Sequence, residues 1–171
     1  MAERTNVATF KGNPITLVGT EIKKGDPAPH FKLVGNDLAD IECASFHGKV
    51  QVLSVAPSID TPVCALQTRT FNKEAVGLSE DVVVLSVSLD LPFALARFCG
   101  AEGIERVITA SDYKYRTFGE AYGVNVRELG LLTRAVFVID RASKIVHAEY
   151  VPEVTSEPNY AAALEAVKAA C

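Results

Sequence analysis

Two nearly continuous apolar runs constrain the fold of this chain more than any other feature. The runs Val50–Ala56 and Val82–Ser88 are rich in β-branched residues. Runs of this kind suit central strands that are buried on both faces of a sheet. Between them, Pro62–Leu78 is predicted to be a helix that opens on a proline. The sequence therefore predicts a strand–helix–strand unit at the centre of the molecule.

Further strands and helices alternate around this unit. An N-terminal hairpin is predicted from two β-rich runs that flank a Gly-Asn turn, Thr5–Phe10 and Ile15–Val18. Other predicted strands are Phe31–Val34, Leu38–Cys43, Val107–Thr109, Ala135–Asp140 and Lys144–Tyr150, and other predicted helices are Pro92–Cys99, Tyr115–Tyr122 and Pro158–Ala170. We expect an α/β sandwich with a mixed central sheet flanked by helices. A chain of 171 residues suggests a single domain over residues 1–171.

Cys64 is the residue most suited to chemistry. It follows the first apolar run by a short polar turn, and Thr61 and Pro62 fit the N-cap and the first helical position of the next helix. At the N-cap, the Thr61 hydroxyl is expected to accept a hydrogen bond from an unpaired backbone N–H of the helix. Cys64 then lies in the first turn, where free N–H groups and the helix dipole favour a thiolate. The alternative is a structural cysteine that happens to begin a helix.

Composition excludes several other kinds of protein. The net charge of −4 comes without a basic stripe, which argues against binding to nucleic acid or to an anionic membrane. The first residues lack the apolar core of a signal peptide, so we expect a cytoplasmic protein. Four cysteines without a Cys-x-x-Cys pair, and three scattered histidines, argue against a metal site and against a thioredoxin-type active site. Cys43 and Cys171 are expected to be non-catalytic, Cys43 being buried in a strand.

The spacing around Cys64 resembles a known motif. Pro57-x3-Thr61-x2-Cys64 is similar to the peroxidatic motif of the peroxiredoxins. The whole string from Pro57 to Cys64 resembles one branch of that family, the bacterial thiol peroxidases, which are atypical two-cysteine peroxiredoxins. Five further stretches support the same branch: Phe10–Pro14, Asp90–Ala94, Arg97–Gly103, Thr133–Asp140 and Glu157–Tyr160.

The resemblance implies a fold and an activity. The fold is the thioredoxin-like fold with an added N-terminal hairpin, in agreement with the order of predicted elements. The activity is a thioredoxin-dependent peroxidase that reduces hydrogen peroxide and organic hydroperoxides without a cofactor. The resemblance further implies that Cys64 is the peroxidatic cysteine and Cys99 the resolving cysteine, joined in an intramolecular disulfide. It also suggests a homodimer.

Reduction of a peroxide needs donors for both oxygens and a cation beside the sulfur. The Thr61 hydroxyl and the backbone N–H groups of Val63 and Cys64 are candidate donors, and Pro57 can shield the sulfur from solvent. Arg134 precedes the predicted strand 135–140, and an arginine at this position in the family lies against the peroxidatic sulfur. Without the resemblance, a surface arginine at the end of a strand would be the more ordinary interpretation.

Three other functions remain open at this stage. The first is a redox-sensing module on the same fold that does not turn over, and the second is a disulfide-exchange protein. The third is a cysteine hydrolase, although no histidine lies near Cys64 in the sequence. Cys99 could also be a small core residue rather than a reactive one.

Overall fold

The computed structural model describes residues 1–171, which form four α-helices and eleven strands. The helices are α1 (Pro62–Ala75), α2 (Pro92–Glu102), α3 (Thr117–Ala121) and α4 (Tyr160–Ala170). The strands are β1 (Glu3–Phe10), β2 (Asn13–Val18), β3 (Lys32–Gly35), β4 (Asp40–Glu42), β5 (Val50–Val55), β6 (Val82–Ser88), β7 (Val107–Ser111), β8 (Asn125–Val126), β9 (Leu131–Leu132), β10 (Ala135–Ile139) and β11 (Ile145–Tyr150). No helix has both the length and the apolar character needed to cross a membrane.

A seven-stranded mixed sheet forms the centre, in the order β11-β10-β5-β6-β7-β3-β4. The strands β5, β6 and β7 are parallel, and the remaining pairs are antiparallel. The helices α1 and α2 connect the three parallel strands, as crossover helices do in βαβ units. The predicted mixed sheet with flanking helices is therefore confirmed.

Apolar clusters cover both faces of this sheet. On one face, Phe71 of α1 and Val167 of α4 pack with Val52 and Val84 of the central strands. On the other face, the alternate residues of the same strands pack against an aromatic group that includes Phe31, Phe118 and Tyr122. Burial on both faces is the reason that β5 and β6 read as continuous apolar runs rather than as alternating ones.

The N-terminal hairpin belongs to a second, smaller sheet in the order β1-β2-β8-β9. The sequence predicted the hairpin, whereas the two-residue strands β8 and β9 were not predicted. Strands this short carry too few residues for a period-2 pattern to be visible. The hairpin has its own small core, in which Leu17 and Val126 are buried beside Val154.

Several predicted boundaries are wrong by a few residues. The helix α2 does not stop near Gly100 but continues to Glu102, because Gly103 takes the left-handed conformation (φ +64°) that ends it. The predicted strand Leu38–Cys43 is shortened to Asp40–Glu42, and Cys43 instead begins a 3-10 helix. Cys43 is also only half-buried, which corrects the expectation of a buried strand residue. Cys171, the last residue, is exposed.

The contact between the hairpin and α3 gives a prediction for stability. Gly19 follows β2 at φ +116°, and a Cβ atom there would collide with the backbone oxygen of Glu120. We expect Gly19→Ala to lower the free energy of unfolding by about 3 kcal/mol, at the upper end of the cost of a strained backbone. Gly12→Ala is the matched control, since Gly12 also has a positive φ but open space around it, and about 1 kcal/mol is expected. Urea unfolding measures both, and equal losses would contradict the close approach.

Candidate active site

Cys64 lies where a buried strand feeds a helix. The buried Pro57 follows β5, and a short turn leads to α1, in which Cys64 is the third residue. The first helical hydrogen bond runs from Ala65 N to Thr61 O at 3.0 Å, so the N–H groups of Val63 and Cys64 have no intrahelical acceptor. Cys64 has 0% of its surface exposed. The sulfur is thus enclosed at the positive end of a helix.

Thr61 occupies the N-cap, as predicted, but its side chain does not make the predicted capping bond. The hydroxyl instead donates to the backbone oxygen of Ser58 at 2.9 Å. The expectation that Thr61 accepts from a free N–H of the helix is therefore wrong, and the side chain is oriented by the bond that its hydroxyl donates to the preceding turn. Thr61 closes this turn, and it makes no hydrogen bond to Cys64 in this structure.

Arg134 directly contacts the sulfur. It precedes β10, which pairs with β5, and its Nη2 donates to Cys64 Sγ at 3.3 Å. Its Nε donates to the backbone oxygen of Val154 at 2.8 Å, and its Nη1 donates to Gln67 Oε1 at 2.6 Å. Each nitrogen of the guanidinium therefore has a defined acceptor, and the side chain is fixed in place.

The charge of Arg134 has no carboxylate to balance it. The side chain is 2% exposed, and none of the ion pairs in the structure includes it. Tyr160 is the nearby phenol, and burial together with the Glu157 carboxylate raises its pKa to about 12, so it stays neutral. Cys64 is the acidic group that is hydrogen-bonded to Arg134. A buried charge is costly without an opposite one, and Cys64 is the group beside this charge that is able to become negative.

Gln67 and Ser54 support this arrangement, and neither was predicted to be part of the site. Gln67 is fully buried one turn after Cys64, and its Nε2 donates to Ser54 Oγ at 2.6 Å. Because a guanidinium only donates, the Gln67 oxygen must face Arg134 and the amide nitrogen must face Ser54. A polar residue on the inner face of a helix, together with a serine inside an apolar strand, is the signal that could have indicated this network.

Asp90 connects the turn before α1 with the segment before α2. Its carboxylate accepts from Ser58 Oγ at 2.8 Å, from Ile59 N at 2.7 Å and from Ser88 Oγ at 2.8 Å. Carboxylates that accept several such bonds form strong, well-oriented contacts. One side chain thus holds the turn that leads to Cys64 and the loop that leads to the helix of Cys99.

Cys99 lies in the last turn of α2 and is half-buried. Its sulfur contacts Thr109 Oγ1 at 3.3 Å and Asn36 Nδ2 at 3.7 Å, and the Thr109 hydroxyl donates to Asn36 Oδ1 at 2.9 Å. Both thiols are free in this structure. The two sulfurs have different polar partners, so the structure brings Arg134, but not Cys99, into contact with Cys64.

Comparison with known proteins now decides the family. A redoxin family profile matches residues 23–164. The chain is 54% identical over 162 residues to a thiol peroxidase of Listeria monocytogenes, covering 95% of this chain and 98% of that one. It is 55% identical over 161 residues to a thiol peroxidase of Bacillus subtilis, covering 94% and 96%. The chain belongs to the thiol peroxidases of the redoxin family.

Solved structures agree with the assignment to the redoxin family. A peroxiredoxin-like protein from Aquifex aeolicus superposes with a TM-score of 0.91 at 44% identity, over 98% of both chains. A thiol peroxidase from Chromobacterium violaceum has a TM-score of 0.84 at 20% identity, over 95% of both chains, and shows the shared fold. The resemblance inferred from the sequence motifs and the thioredoxin-like fold are thereby confirmed.

The contact between Arg134 and Cys64 gives a prediction for this redoxin family member. Cys64→Ser replaces an acidic sulfur with a neutral hydroxyl beside a buried cation, and we expect it to cost about 1.5–3 kcal/mol of unfolding free energy, the scale of a hydrogen bond to a charged group. In an Arg134→Met background the same substitution should cost far less, because no buried charge is left unbalanced. A double-mutant cycle by urea unfolding measures the coupling. Additive losses would mean that Arg134 and Cys64 are independent.

Proposed function

We propose that this chain is a thiol-dependent peroxidase that reduces hydrogen peroxide and organic hydroperoxides, with Cys64 as the attacking group. The observation that carries the proposal is the fully buried guanidinium of Arg134, which has Cys64 Sγ as its acidic partner at 3.3 Å. The thiol peroxidase relatives, at more than half identity over almost the whole chain, support the same activity.

The first step is an in-line displacement on the peroxide. The Cys64 thiolate attacks one oxygen, the O–O bond breaks, and Cys64 becomes a sulfenic acid while the other oxygen leaves as an alcohol or water after taking a proton. Arg134 and the free N–H groups of Val63 and Cys64 stabilise the negative charge that develops on the leaving oxygen. Thr61 and Pro57 complete the substrate site, Thr61 by fixing the turn and Pro57 by excluding water from it.

The second step forms a disulfide within one chain. The Cys99 sulfur attacks the Cys64 sulfenic acid, water leaves, and a Cys64–Cys99 disulfide remains. A disulfide requires Cα atoms within about 7 Å, and the present contacts of Cys99 with Thr109 and Asn36 must break for the sulfur to reach Cys64. We therefore propose that the first turn of α1, which carries Cys64, and the last turn of α2, which carries Cys99, unwind locally before the disulfide forms.

The reductant, the assembly and the location are the parts of the proposal that depend most on the family. A thioredoxin-like dithiol returns the disulfide to two thiols, the chain forms a homodimer, and it acts in the cytoplasm. The apolar residues Ile59, Val63 and Leu66 around the motif favour organic hydroperoxides among the possible substrates, and Leu66 is 39% exposed. No metal, cofactor, nucleic acid or membrane takes part in the proposed reaction.

The experiment is peroxide consumption coupled to the oxidation of thioredoxin. We expect turnover in the natural chain, none in Cys64→Ser, and normal turnover in Cys43→Ser, which is the matched control. Cys99→Ser should consume one equivalent of peroxide and then stop, because the sulfenic acid has no partner. A chain that is oxidised once and not turned over by thioredoxin would instead be a redox sensor, and the proposed enzyme would be wrong.

Peptide mapping after peroxide treatment tests the disulfide separately. We expect a Cys64–Cys99 bridge within one chain. A dominant bridge between two chains, whether Cys64 to Cys64 or Cys64 to Cys171, would contradict the intramolecular scheme and leave the first step intact.

Arg134 provides a second prediction of the proposed reaction. Removing one donor to a transition-state oxyanion costs roughly 10²-fold or more in rate, so Arg134→Ala should slow the oxidation of Cys64 by about that factor. Arg134→Lys should restore only part of the rate, because an ammonium cannot reproduce the planar set of donors. Stopped-flow measurement of the oxidation step over a pH series checks this. An unchanged rate and an unchanged pH profile in Arg134→Ala would limit Arg134 to a structural role.

A further inference from the structure

A second thiol lies at the opposite end of β5 from Cys64. Cys43 begins the 3-10 helix Cys43–Phe46, where its side chain is half-buried. The Nδ1 atom of His30 is 3.2 Å from Cys43 Sγ. His30 is exposed at the surface. This pair of an imidazole and a thiol is the arrangement in which a base activates a cysteine nucleophile.

Cys43 and His30 line two cavities, an inner one and an outer one. The inner cavity has a volume of about 220 Å³ and extends to His47, Gln51 and Tyr122. The outer one, of about 310 Å³, opens beside Glu42 and Thr117. The inner volume is below that of pockets for larger ligands, about 300–1,000 Å³, and suits a group of the size of one amino acid.

The side chain of Gln51 provides a hydrogen-bond acceptor in the inner cavity that has no donor. The residue is 3% exposed and lines the cavity, and its Oε1 has no hydrogen-bond partner. The hydroxyl of Tyr122 in the same cavity is already used, since it donates to the backbone oxygen of Pro29 at 2.9 Å. A buried acceptor without a donor costs about 1–3 kcal/mol. A ligand that carries an N–H group would satisfy it.

We propose that Cys43 is a second reactive thiol, activated by His30, that forms a mixed disulfide with a small disulfide bearing an amino group, such as cystine. This modification is independent of the peroxidase chemistry at Cys64. The cavity of Gln51 receives the half that stays attached, with its ammonium directed to Gln51 Oε1.

The reaction is a thiol–disulfide exchange. His30 takes the proton of the Cys43 thiol, and the thiolate attacks one sulfur of the small disulfide. The S–S bond of that disulfide breaks, a bond forms between Cys43 Sγ and the attacked sulfur, and the other sulfur leaves as a thiolate. The leaving thiolate takes the proton from His30. The small disulfide is the oxidant: its leaving sulfur is released as one free thiol, while the Cys43 sulfur is oxidised to the level of the mixed disulfide.

The test uses the full chain with Cys64, Cys99 and Cys171 replaced by serine, so that Cys43 is the single thiol. On incubation with cystine, intact mass spectrometry should show one cysteine added per chain, which dithiothreitol removes. His30→Gln should slow this addition by about tenfold or more, since positioned proton transfer contributes at least that much. His147→Gln is the matched control, because His147 lies on β11 and lines neither of the two cavities, and its rate should be unchanged.

The role of Gln51 is tested by changing the reagent. The compound 3,3′-dithiodipropionate has the same disulfide and carboxylates as cystine but no amino group. We expect Cys43 to react faster with cystine than with 3,3′-dithiodipropionate. We expect Gln51→Leu to lower the rate with cystine to that with 3,3′-dithiodipropionate, and to leave the rate with 3,3′-dithiodipropionate unchanged. Equal rates with both reagents in the unsubstituted cavity would overturn the assignment of the ligand class.

A measurement on the natural chain tests the proposal without any substitution that could prevent folding. Reduced natural protein treated with cystine and mapped by peptide mass should carry the modification on Cys43. The proposal would be overturned if Cys43 reacts no faster in the folded chain than in the same chain unfolded in urea. It would also be overturned if the rate is unchanged in folded His30→Gln.

Discussion

The buried positive charge of Arg134 is the constraint to which the rest of the site conforms. A guanidinium removed from water and without a carboxylate must be held by neutral acceptors and by a group that can become negative. The backbone of Val154 and the side chain of Gln67 provide the neutral acceptors. Cys64 provides the group that can ionise. The placement of β10 beside β5 is what brings the arginine and the start of α1 to the same edge of the sheet.

The difference between the two cysteines of the proposed reaction follows from where their helices place them. Cys64 lies in the first turn of α1, at the positive end of the helix dipole and beside the Arg134 guanidinium. Cys99 lies in the last turn of α2, at the negative end of the dipole, and its contacts are the neutral side chains of Asn36 and Thr109. These surroundings support the proposed division, in which Cys64 attacks the peroxide and Cys99 reacts after Cys64 has been oxidised.

Much of this could be predicted from the sequence, and the failures have physical reasons. The buried strands β5 and β6 were evident because burial on both faces leaves an unbroken apolar run, and Pro62 marked the first residue of α1. The capping bond of Thr61 was predicted wrongly, since the orientation of its hydroxyl towards the carbonyl of Ser58 depends on the geometry of the turn. Gln67 and Asp90 were not predicted as parts of the site, because their partners come from distant segments. The same holds for the pairing of His30 with Cys43, which depends on how the chain turns after β4.

The carboxylate of Asp90 has a consequence for the motions of this molecule. It accepts hydrogen bonds from the turn before α1 and from the end of β6 before α2, so neither segment can move away without leaving part of a carboxylate unsatisfied. Segments that share such bonds tend to open together as one cooperative unit with a single opening free energy. We therefore expect the starts of the two helices that carry Cys64 and Cys99 to open as one such unit, with common protection against hydrogen exchange. An alteration in the loop before either helix would change the opening of both.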